Sequence, residues 1–446
     1  MRAVRRDVET ALLCAAAAGT AATLGLITLG RRSVWIDEAI DINLRGLSWS
    51  DYVHIAFHRE GSQALYLLFL KPWLDLTSPS EWVARIPSVA FTAAAAGLLV
   101  PLGIRLFRSR MVGLGAGLLL ATNAFVISWS QQVRTYALAM LFAVLVTYLF
   151  VLALESGSWL RWLVYGAVAG VSVYAHFFVG LVLASHVPAV ATAGDRNTVR
   201  RWAAAAGIGV VIALPAFDFA LRHDTGQVSW IPAVTYDYLR SSIHALSGKS
   251  WLLLGAGVAG VLALVFAATS GRRDSWRYVL VASWLVVPVV LTLVLSYYKP
   301  MLVDRYLIVS VPALALASSY AISKLGRIAG TVALVILVLI GLAHVRDWYR
   351  SPVAEDWRGA VAYAVRGHPR EQVLVYPGWM GDPAVYYAGS AVDLSERLAG
   401  NRARVIALVD DDQAVREWVS SAGYGIVDRT SFGGIVVWRV SRARTG

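Results

Sequence analysis

Long apolar runs separated by short polar segments fill the first three-quarters of the chain. The first run, residues 10–30, contains no charged side chain. About 20 residues at ~1.5 Å each cross the ~30 Å hydrocarbon core of a membrane. The pattern therefore predicts a polytopic α-helical membrane protein with about 11 spans. These spans are 10–30, 86–104, 111–127, 136–154, two short spans within 162–194 that turn near His176, 202–219, 251–269, 278–296, 306–323 and 328–344.

Residues 31–85 interrupt this pattern between the first and second spans. The segment is amphipathic, and its apolar stretch 61–70 is too short to cross a membrane. Such a stretch predicts an interfacial or re-entrant helix. We therefore include 31–85 in a transmembrane domain that covers residues 1–346, as its first outer loop.

The last hundred residues alternate between helical and strand-like patterns. Acidic residues at 410–412 favour a helix N-terminus there. Residues 347–446 therefore predict a small C-terminal α/β domain outside the membrane. Its predicted elements are a helix over 355–365, strands over 373–376 and 405–409, a helix opened by 410–412, and a strand over 432–440.

Composition supports a membrane protein. Of the 446 residues 58% are hydrophobic and 15% are charged, with mean hydropathy +0.60, whereas about 25% of residues are charged in soluble domains. The net charge of +12 comes from short basic clusters between the apolar runs. This distribution indicates positive-inside topology and excludes a nucleic-acid-binding stripe. It predicts a cytoplasmic N-terminus and an extracytoplasmic C-terminal domain. Arginine far outnumbers lysine, and alanine, glycine and valine abound, which suggests a GC-rich bacterial genome and a plasma-membrane location.

Several ionisable residues fall near the predicted outer ends of the spans. Asp37 and Glu38 lie at the mouth of the first span, where they could deprotonate an acceptor or merely form a polar stop. The basic residues could bind an anion such as a phosphate, or simply extend to lipid headgroups. The candidates beside the two acids are Arg85, Arg134, His176, Lys299 and Arg305.

A metal site is the alternative role for one group of side chains. His54 and His58 are four residues apart, so on a helix they share a face that Glu60 could join. No further ligand follows at a recognised spacing. We therefore expect no metal and no other cofactor.

Six short motifs, in order along nearly the whole chain, resemble the GT-C class of membrane-embedded glycosyltransferases. They are most similar to the branch of protein O-mannosyltransferases, lipid A aminoarabinose transferases and related bacterial mannosyltransferases. One departure is Gln63-Ala64, where that branch has a pair of prolines before the tyrosine of the second motif. The motifs are WIDEA at 35–39, LYLL at 65–68 with SEWVARIPS at 80–88, QQVRTYAL at 131–138, YAHFF at 174–178, DRYL at 304–307 and EDWR at 355–358.

The resemblance implies transfer of a sugar from a polyprenyl-phosphate donor, with inversion, on the outer membrane face. Asp37 would be the general base and Glu38 a second carboxylate, while Arg134 and Arg305 would hold the donor phosphate. Further members of the donor site would be Arg85, Tyr136, His176 and Lys299. Mannose is the expected sugar, and a glycolipid, lipoglycan or protein the expected acceptor.

A secondary transporter or lipid flippase is the alternative from another functional class. A transporter is expected to contain inverted repeats and broken helices near the membrane midplane. The sequence shows no such repeat, and its candidate ionisable residues lie at span ends. These two features favour the enzyme.

Overall fold

A computed structural model describes residues 2–222, 230–270, 274–366 and 371–443 of the chain. The helices of this part are α1 (Arg2–Leu26), α2 (Ile36–Asn43), α3 (Trp49–His58), α4 (Ala64–Leu76), α5 (Glu81–Phe107), α6 (Arg110–Ala121), α7 (Ala124–Ser130), α8 (Tyr136–Ser156), α9 (Trp159–Ser172), α10 (Val179–Ala193), α11 (Arg196–Arg222), α12 (Tyr236–Leu246), α13 (Trp251–Thr269), α14 (Ser275–Tyr298), α15 (Val311–Ser323), α16 (Arg327–Arg350), α17 (Trp357–Val365), α18 (Asp382–Ala388) and α19 (Asp412–Ser421). The strands are β1 (Gln372–Val375), β2 (Arg402–Leu408), β3 (Tyr424–Phe432) and β4 (Ile435–Arg442).

The chain forms two compact units, and neither is a continuous segment. We call them the helical unit and the sheet unit. The helical unit comprises Met1–Ile27, Trp49–Pro72 and Arg85–Tyr349. The sheet unit comprises Thr28–Ser48, Trp73–Ala84 and Arg350–Gly446. Parts of the predicted first loop, 31–85, thus belong to the same unit as the C-terminal sheet.

The helical unit is a multi-pass membrane domain. Within the described residues, eight helices are long and apolar enough to span a membrane, or up to nine if α6 and α7, bent by 58°, count as one span. The stretch 162–194 folds into α9 and α10, which have only 14 and 15 residues. All predicted spans therefore fall on helices, but the predicted number of about 11 crossings stays a prediction.

Small residues let α9 and α11 approach closely. Gly166 and Gly170 of α9 face the backbone of α11, and a Cβ at Gly170 would lie 2.7 Å from the carbonyl oxygen of Gly209. Small residues allow such contacts between membrane helices, where packing replaces the hydrophobic effect. These glycines fix the packing of α9, the helix that leads into the turn at His176.

The sheet unit contains a mixed four-stranded sheet in the order β1-β2-β4-β3. β1 and β2 are parallel, whereas β4 pairs antiparallel with β2 and β3. Gly433, with φ of 61°, supports the tight turn between β3 and β4. The strands β1, β2 and β4 have apolar side chains on both faces of the sheet, because α17 and α18 cover one face and α19 covers the other.

The predicted α/β class is confirmed, with two elements missed by the sequence analysis. The edge strand β3 is mostly exposed and carries the polar run DRTS, so its sequence lacks the apolar signal of a buried strand. α18 has only seven residues, fewer than the periodicity of a helix needs for recognition. β3 depends on its hairpin with β4, and α18 depends on its packing against α2 and α17.

Candidate functional site

The motif at 131–138 begins at the end of α7 and continues into α8. Asn123 starts α7, because its side-chain oxygen accepts hydrogen bonds from the N–H groups of Phe125 (3.0 Å) and Val126 (3.2 Å). Residues 131–135 then form a turn, and Tyr136 is the first residue of α8. Gln131 anchors this turn through hydrogen bonds to the carbonyl oxygens of Gly25 (3.0 Å) and Ile27 (2.6 Å).

Tyr136 is the centre of a group of cationic and aromatic side chains in the helical unit. It is 2% exposed, and its hydroxyl oxygen accepts a hydrogen bond of 2.9 Å from Nε of Arg305. Its ring centroid lies 4.8 Å from that of Trp129 and 5.8 Å from that of His176. We call this group the Tyr136 cluster; its members are Trp129, Arg134, Tyr136, His176, Trp230, Arg305 and Tyr306.

Arg305 is the cation with the most aromatic neighbours in the cluster. Its guanidinium carbon lies 4.9 Å from the ring centroid of Trp230 and 5.6 Å from that of Trp129. The rings of Tyr306 and Tyr136 are at 5.7 and 6.0 Å. The surrounding rings hold the guanidinium in one orientation. Two of its N–H groups can therefore donate hydrogen bonds to the same phosphate.

Arg134 and His176 complete the cluster's polar side. The guanidinium of Arg134 lies 5.9 Å from the ring centroid of Tyr136. His176 is buried in the turn between α9 and α10, where its Nδ1 accepts a hydrogen bond of 3.2 Å from the N–H of Phe178. Burial, and then the charges of Arg134 and Arg305, lower the pKa of His176 to about 3. A neutral imidazole with its proton on Nε2 can donate one hydrogen bond to an anion.

Hydrogen bonds connect the second, third and fourth motifs within the helical unit. The hydroxyl oxygens of Tyr66 and Ser88 are 3.5 Å apart, and Ser88 reaches the carbonyl oxygen of Arg134 at 3.5 Å. Thr135 donates a hydrogen bond of 2.5 Å to the carbonyl oxygen of Ala175. Side-chain hydroxyl groups of one motif therefore hold the next by donating hydrogen bonds to its backbone carbonyl oxygens.

Two other predicted cations differ sharply in exposure. Arg85 on α5 is 1% exposed, whereas Lys299 is exposed at the C-terminal end of α14. Arg85 is therefore enclosed by the protein, whereas the ammonium group of Lys299 is accessible from outside it.

Asp37 and Glu38 lie in the sheet unit, on the short helix α2, and not at the end of α1. Both fall in the first turn of α2, where the helix dipole favours negative charge. Glu38 is 0% exposed, as is Asp41 three residues later, and Asp37 is half-buried. Asp37 is therefore the more accessible of the adjacent pair.

Lys71 is a buried cation near an outer span end that was not among the predicted site residues. It lies on α4 and is 4% exposed, and its ammonium nitrogen lies 5.2 Å from the ring centroid of Trp49 and 5.3 Å from that of Tyr52. Its charge within an apolar helix was the available signal. His54 and His58 do share a face of α3, with stacked rings whose centroids are 4.4 Å apart.

Comparison with known proteins supports the resemblance seen in the motifs. The family model described as dolichyl-phosphate-mannose-protein mannosyltransferase matches residues 65–221. The structure resembles that of ArnT from Cupriavidus metallidurans bound to undecaprenyl phosphate, with TM-score 0.64 and 12% identity over 95% of this chain and 97% of that one. The same protein in the apo state gives 0.63 and 13% over 98% of both chains.

The chain has the fold of a GT-C class glycosyltransferase. A third structure of similar fold is an oligosaccharyltransferase from Archaeoglobus fulgidus tethered to an acceptor peptide with an NVT sequon. Its TM-score is 0.57 at 12% identity, over 95% of this chain and 74% of that one. Curated protein sequences give no match. The predicted GT-C fold, with a small sheet unit after the membrane helices, is thereby confirmed.

Proposed function

We propose that the protein is a glycosyltransferase that moves a sugar from a polyprenyl-phosphate donor to an acceptor of the bacterial envelope. The observation that carries this proposal is the Tyr136 cluster, which combines Arg134 and Arg305 with aromatic rings inside a membrane domain of GT-C fold. One structure of similar fold holds undecaprenyl phosphate, and the matching family model names a dolichyl-phosphate-mannose donor. Both names support a lipid-linked sugar phosphate as the donor.

The Tyr136 cluster supplies the chemistry that such a donor needs. Negative charge develops on the phosphate as its bond to the anomeric carbon breaks, and two arginines stabilise that charge. The rings of Trp129, Trp230 and Tyr306 offer apolar faces for the sugar or the first isoprene units. His176, Arg85 and Lys299 are the additional donor-site residues in this proposal.

Asp37 is the proposed general base. It accepts the proton of the acceptor hydroxyl while the hydroxyl oxygen bonds to the anomeric carbon from the face opposite the phosphate. The sugar is inverted, and polyprenyl phosphate leaves. Glu38, the buried neighbour of Asp37, orients the acceptor or tunes the base.

The proposed donor sugar is mannose, in line with the family description. The acceptor is a glycolipid, a lipoglycan or a protein. We place the reaction on the outer face of the plasma membrane, with the N-terminus in the cytoplasm and the sheet unit outside. The basic clusters between the apolar runs support this orientation.

Purified protein in lipid vesicles tests the proposal, with radiolabelled polyprenyl-phosphate-mannose as donor and extracted envelope glycolipids, lipoglycans and proteins as acceptors. We expect transfer by the native protein and a loss of at least about 100-fold in kcat for Asp37→Asn, since a positioned base contributes about 10²–10⁴-fold. Asp51→Asn on α3 is the matched control. Full activity of Asp37→Asn would refute the base assignment. Lipid movement across the vesicle without transfer would instead favour the transporter or flippase alternative.

A further inference from the structure

The segment just before α2 is held by side chains and backbone groups distant in sequence but within the same unit. Ser33 is buried, and its hydroxyl donates a hydrogen bond of 2.5 Å to the carbonyl oxygen of Glu355 and accepts one of 3.2 Å from the N–H of Trp357. The N–H of Val34, a residue with no exposed surface, donates to the hydroxyl of Tyr387 at 2.8 Å. These bonds end three residues before Asp37.

Tyr387 is itself fixed by charged partners. Its hydroxyl donates to Glu81, whose two carboxylate oxygens also accept hydrogen bonds from Arg358. Arg358 in turn donates to the carbonyl oxygen of Gly30 at 3.0 Å. The hydroxyl of Tyr387 therefore accepts a hydrogen bond from Val34 and donates one to Glu81. Because an ionised carboxylate can only accept, Glu81 fixes the direction of both bonds.

The other end of α2 is held as well. The side-chain nitrogen of Asn43 donates to the backbone oxygen of Asp382 at 3.0 Å and to its carboxylate at 3.1 Å. Asp382 begins α18, the helix that carries Tyr387. Both ends of the helix that carries Asp37 are thus fixed to α18.

We propose that Tyr387, oriented by Glu81 and Arg358, is a positioning residue that holds Asp37 in its reactive place; this inference rests on the proposed function of Asp37. Without the hydroxyl, the buried N–H of Val34 loses its partner, and the segment must move to regain one. That movement passes through Trp35 and Ile36 into the first turn of α2. Displacement of a reacting group by about 1 Å can cost a large factor in rate.

Two measurements separate a positioning role from general support of the fold. The first is the steady-state kinetics of Tyr387→Phe, with Tyr424→Phe as the matched control. Tyr424 is a buried tyrosine of the same unit whose hydroxyl donates to the carbonyl oxygen of Gly400 at 2.7 Å. We expect kcat to fall at least about tenfold in Tyr387→Phe with the donor KM unchanged, and neither value to change in Tyr424→Phe.

The second measurement does not depend on activity. In a Cys14→Ser background, which removes the protein's one cysteine, Asp37→Cys introduces a thiol whose alkylation by a charged maleimide reports the position of α2. Adding Tyr387→Phe should change the alkylation rate by at least about threefold, whereas adding Tyr424→Phe should not. Arg358→Lys keeps the positive charge but cannot form the bidentate hydrogen bonds to Glu81, so it should give an intermediate change in the alkylation rate.

The outcomes are distinguishable. An unchanged alkylation rate in Tyr387→Phe would overturn the inference whatever the enzyme does. A changed alkylation rate with unchanged kcat would show a contact that holds α2 but has no positioning role, which also overturns it. Full activity of Asp37→Asn would refute the proposed base itself, and the alkylation result would still stand as a separate finding.

Discussion

Arg305 is the residue whose surroundings most restrict its role. It donates to Tyr136 and lies among four aromatic rings in the helical unit. Many arginines at span ends simply extend to lipid headgroups. An arginine placed among rings loses that freedom, and its planar guanidinium is then oriented to bind an anion such as phosphate from a fixed direction.

Replacing Arg305 should therefore weaken donor binding selectively. For Arg305→Ala we expect the donor KM to rise about 10- to 100-fold, since one charge-assisted hydrogen bond contributes about 1.5–3 kcal/mol. The donor KM of Arg305→Lys should lie between those of the alanine variant and the native protein, because lysine keeps the charge but lacks the planar set of guanidinium donors. Arg240→Ala is the control, because Arg240 also stacks on a tryptophan, Trp251, at 5.5 Å. Equal losses in both alanine variants would contradict a specific role.

Much of this cluster was predictable residue by residue. Arg134, Tyr136, His176 and Arg305 each stand in a motif, and the structure brings them together. Trp230 gave no such signal, because an isolated tryptophan near a span end is usually interfacial. Lys71 was visible as a charge, but its burial between Trp49 and Tyr52 depends on how α3 and α4 pack.

Among the elements, α9 and α11 depend on glycine for their close approach. Gly170→Leu would place a side chain against the backbone of Gly209, where the first added carbon already lies 2.7 Å from an oxygen. We expect a loss of about 1–3 kcal/mol in stability, seen as a lower unfolding temperature in detergent. Gly207→Leu on α11 is the control, because a Cβ there meets nothing within 4 Å. Equal shifts for the two variants would contradict the packing argument.

The sheet contains an arrangement of charges that its sequence did not reveal. Arg404 of β2 and Arg439 of β4 are direct cross-strand partners, which by itself is repulsive. Glu371 bonds to both, at 2.8 and 3.0 Å. Burial raises the pKa of Glu371, but the hydrogen bonds and charges of the two arginines outweigh it and leave the pKa lowered. The carboxylate thus joins the two inner strands.

Glu371→Gln should destabilise the sheet unit by about 3 kcal/mol near neutral pH, because the buried Arg404 and the half-buried Arg439 lose their shared partner. A lowered carboxyl pKa adds stability above the ordinary glutamate value of about 4.3, and this stability is lost as the pH falls through the folded-state pKa. The difference between native protein and variant should therefore shrink below about pH 4. Unfolding temperatures measured from pH 3 to 8 check this, with exposed Glu417→Gln on α19 as control. A difference independent of pH would exclude the ionic explanation.

The predicted elements of the sheet unit were found where the apolar signal was continuous. β1, β2 and β4 lie within a two-sided core, so most of their residues are apolar. The strand β3 and the helices α2 and α18 carry weak local signals. β3 depends on its pairing with the neighbouring strand β4, whereas α2 and α18 contact each other from segments more than 300 positions apart in the chain, as Val34 does with Tyr387.

At the scale of the whole molecule, Tyr349–Arg350 is one of several points at which the chain passes between the two units. The sheet unit draws on Thr28–Ser48 and Trp73–Ala84 as well as on the C-terminal residues. The change in composition at 347 lies close to the last of these points, but it leaves the earlier segments in the predicted first loop. Local composition indicates the kind of environment that a segment occupies, but it does not identify the distant segment against which a loop packs.

Truncation after Arg350 should therefore disorganise the segment that carries Asp37. We expect Thr28–Ser48 to become sensitive to limited proteolysis and sugar transfer to be lost, because the partners of Ser33, Val34 and Asn43 are removed. Removal of residues 444–446 alone is the control and should change neither property. A truncated protein that keeps the native cleavage pattern would show that the segment is stable on its own.

The interleaved sheet unit also has a consequence for biosynthesis. Thr28–Ser48 leaves the ribosome about 300 residues before the chain that completes its fold. During that interval the proposed base has no fixed position, although the first helices can already enter the membrane. Chains that terminate early would therefore reside in the bilayer without transferring sugar. Activity would begin only after the inner strand β4 has been synthesised and paired, so the order of synthesis delays sugar transfer until the sheet unit is folded.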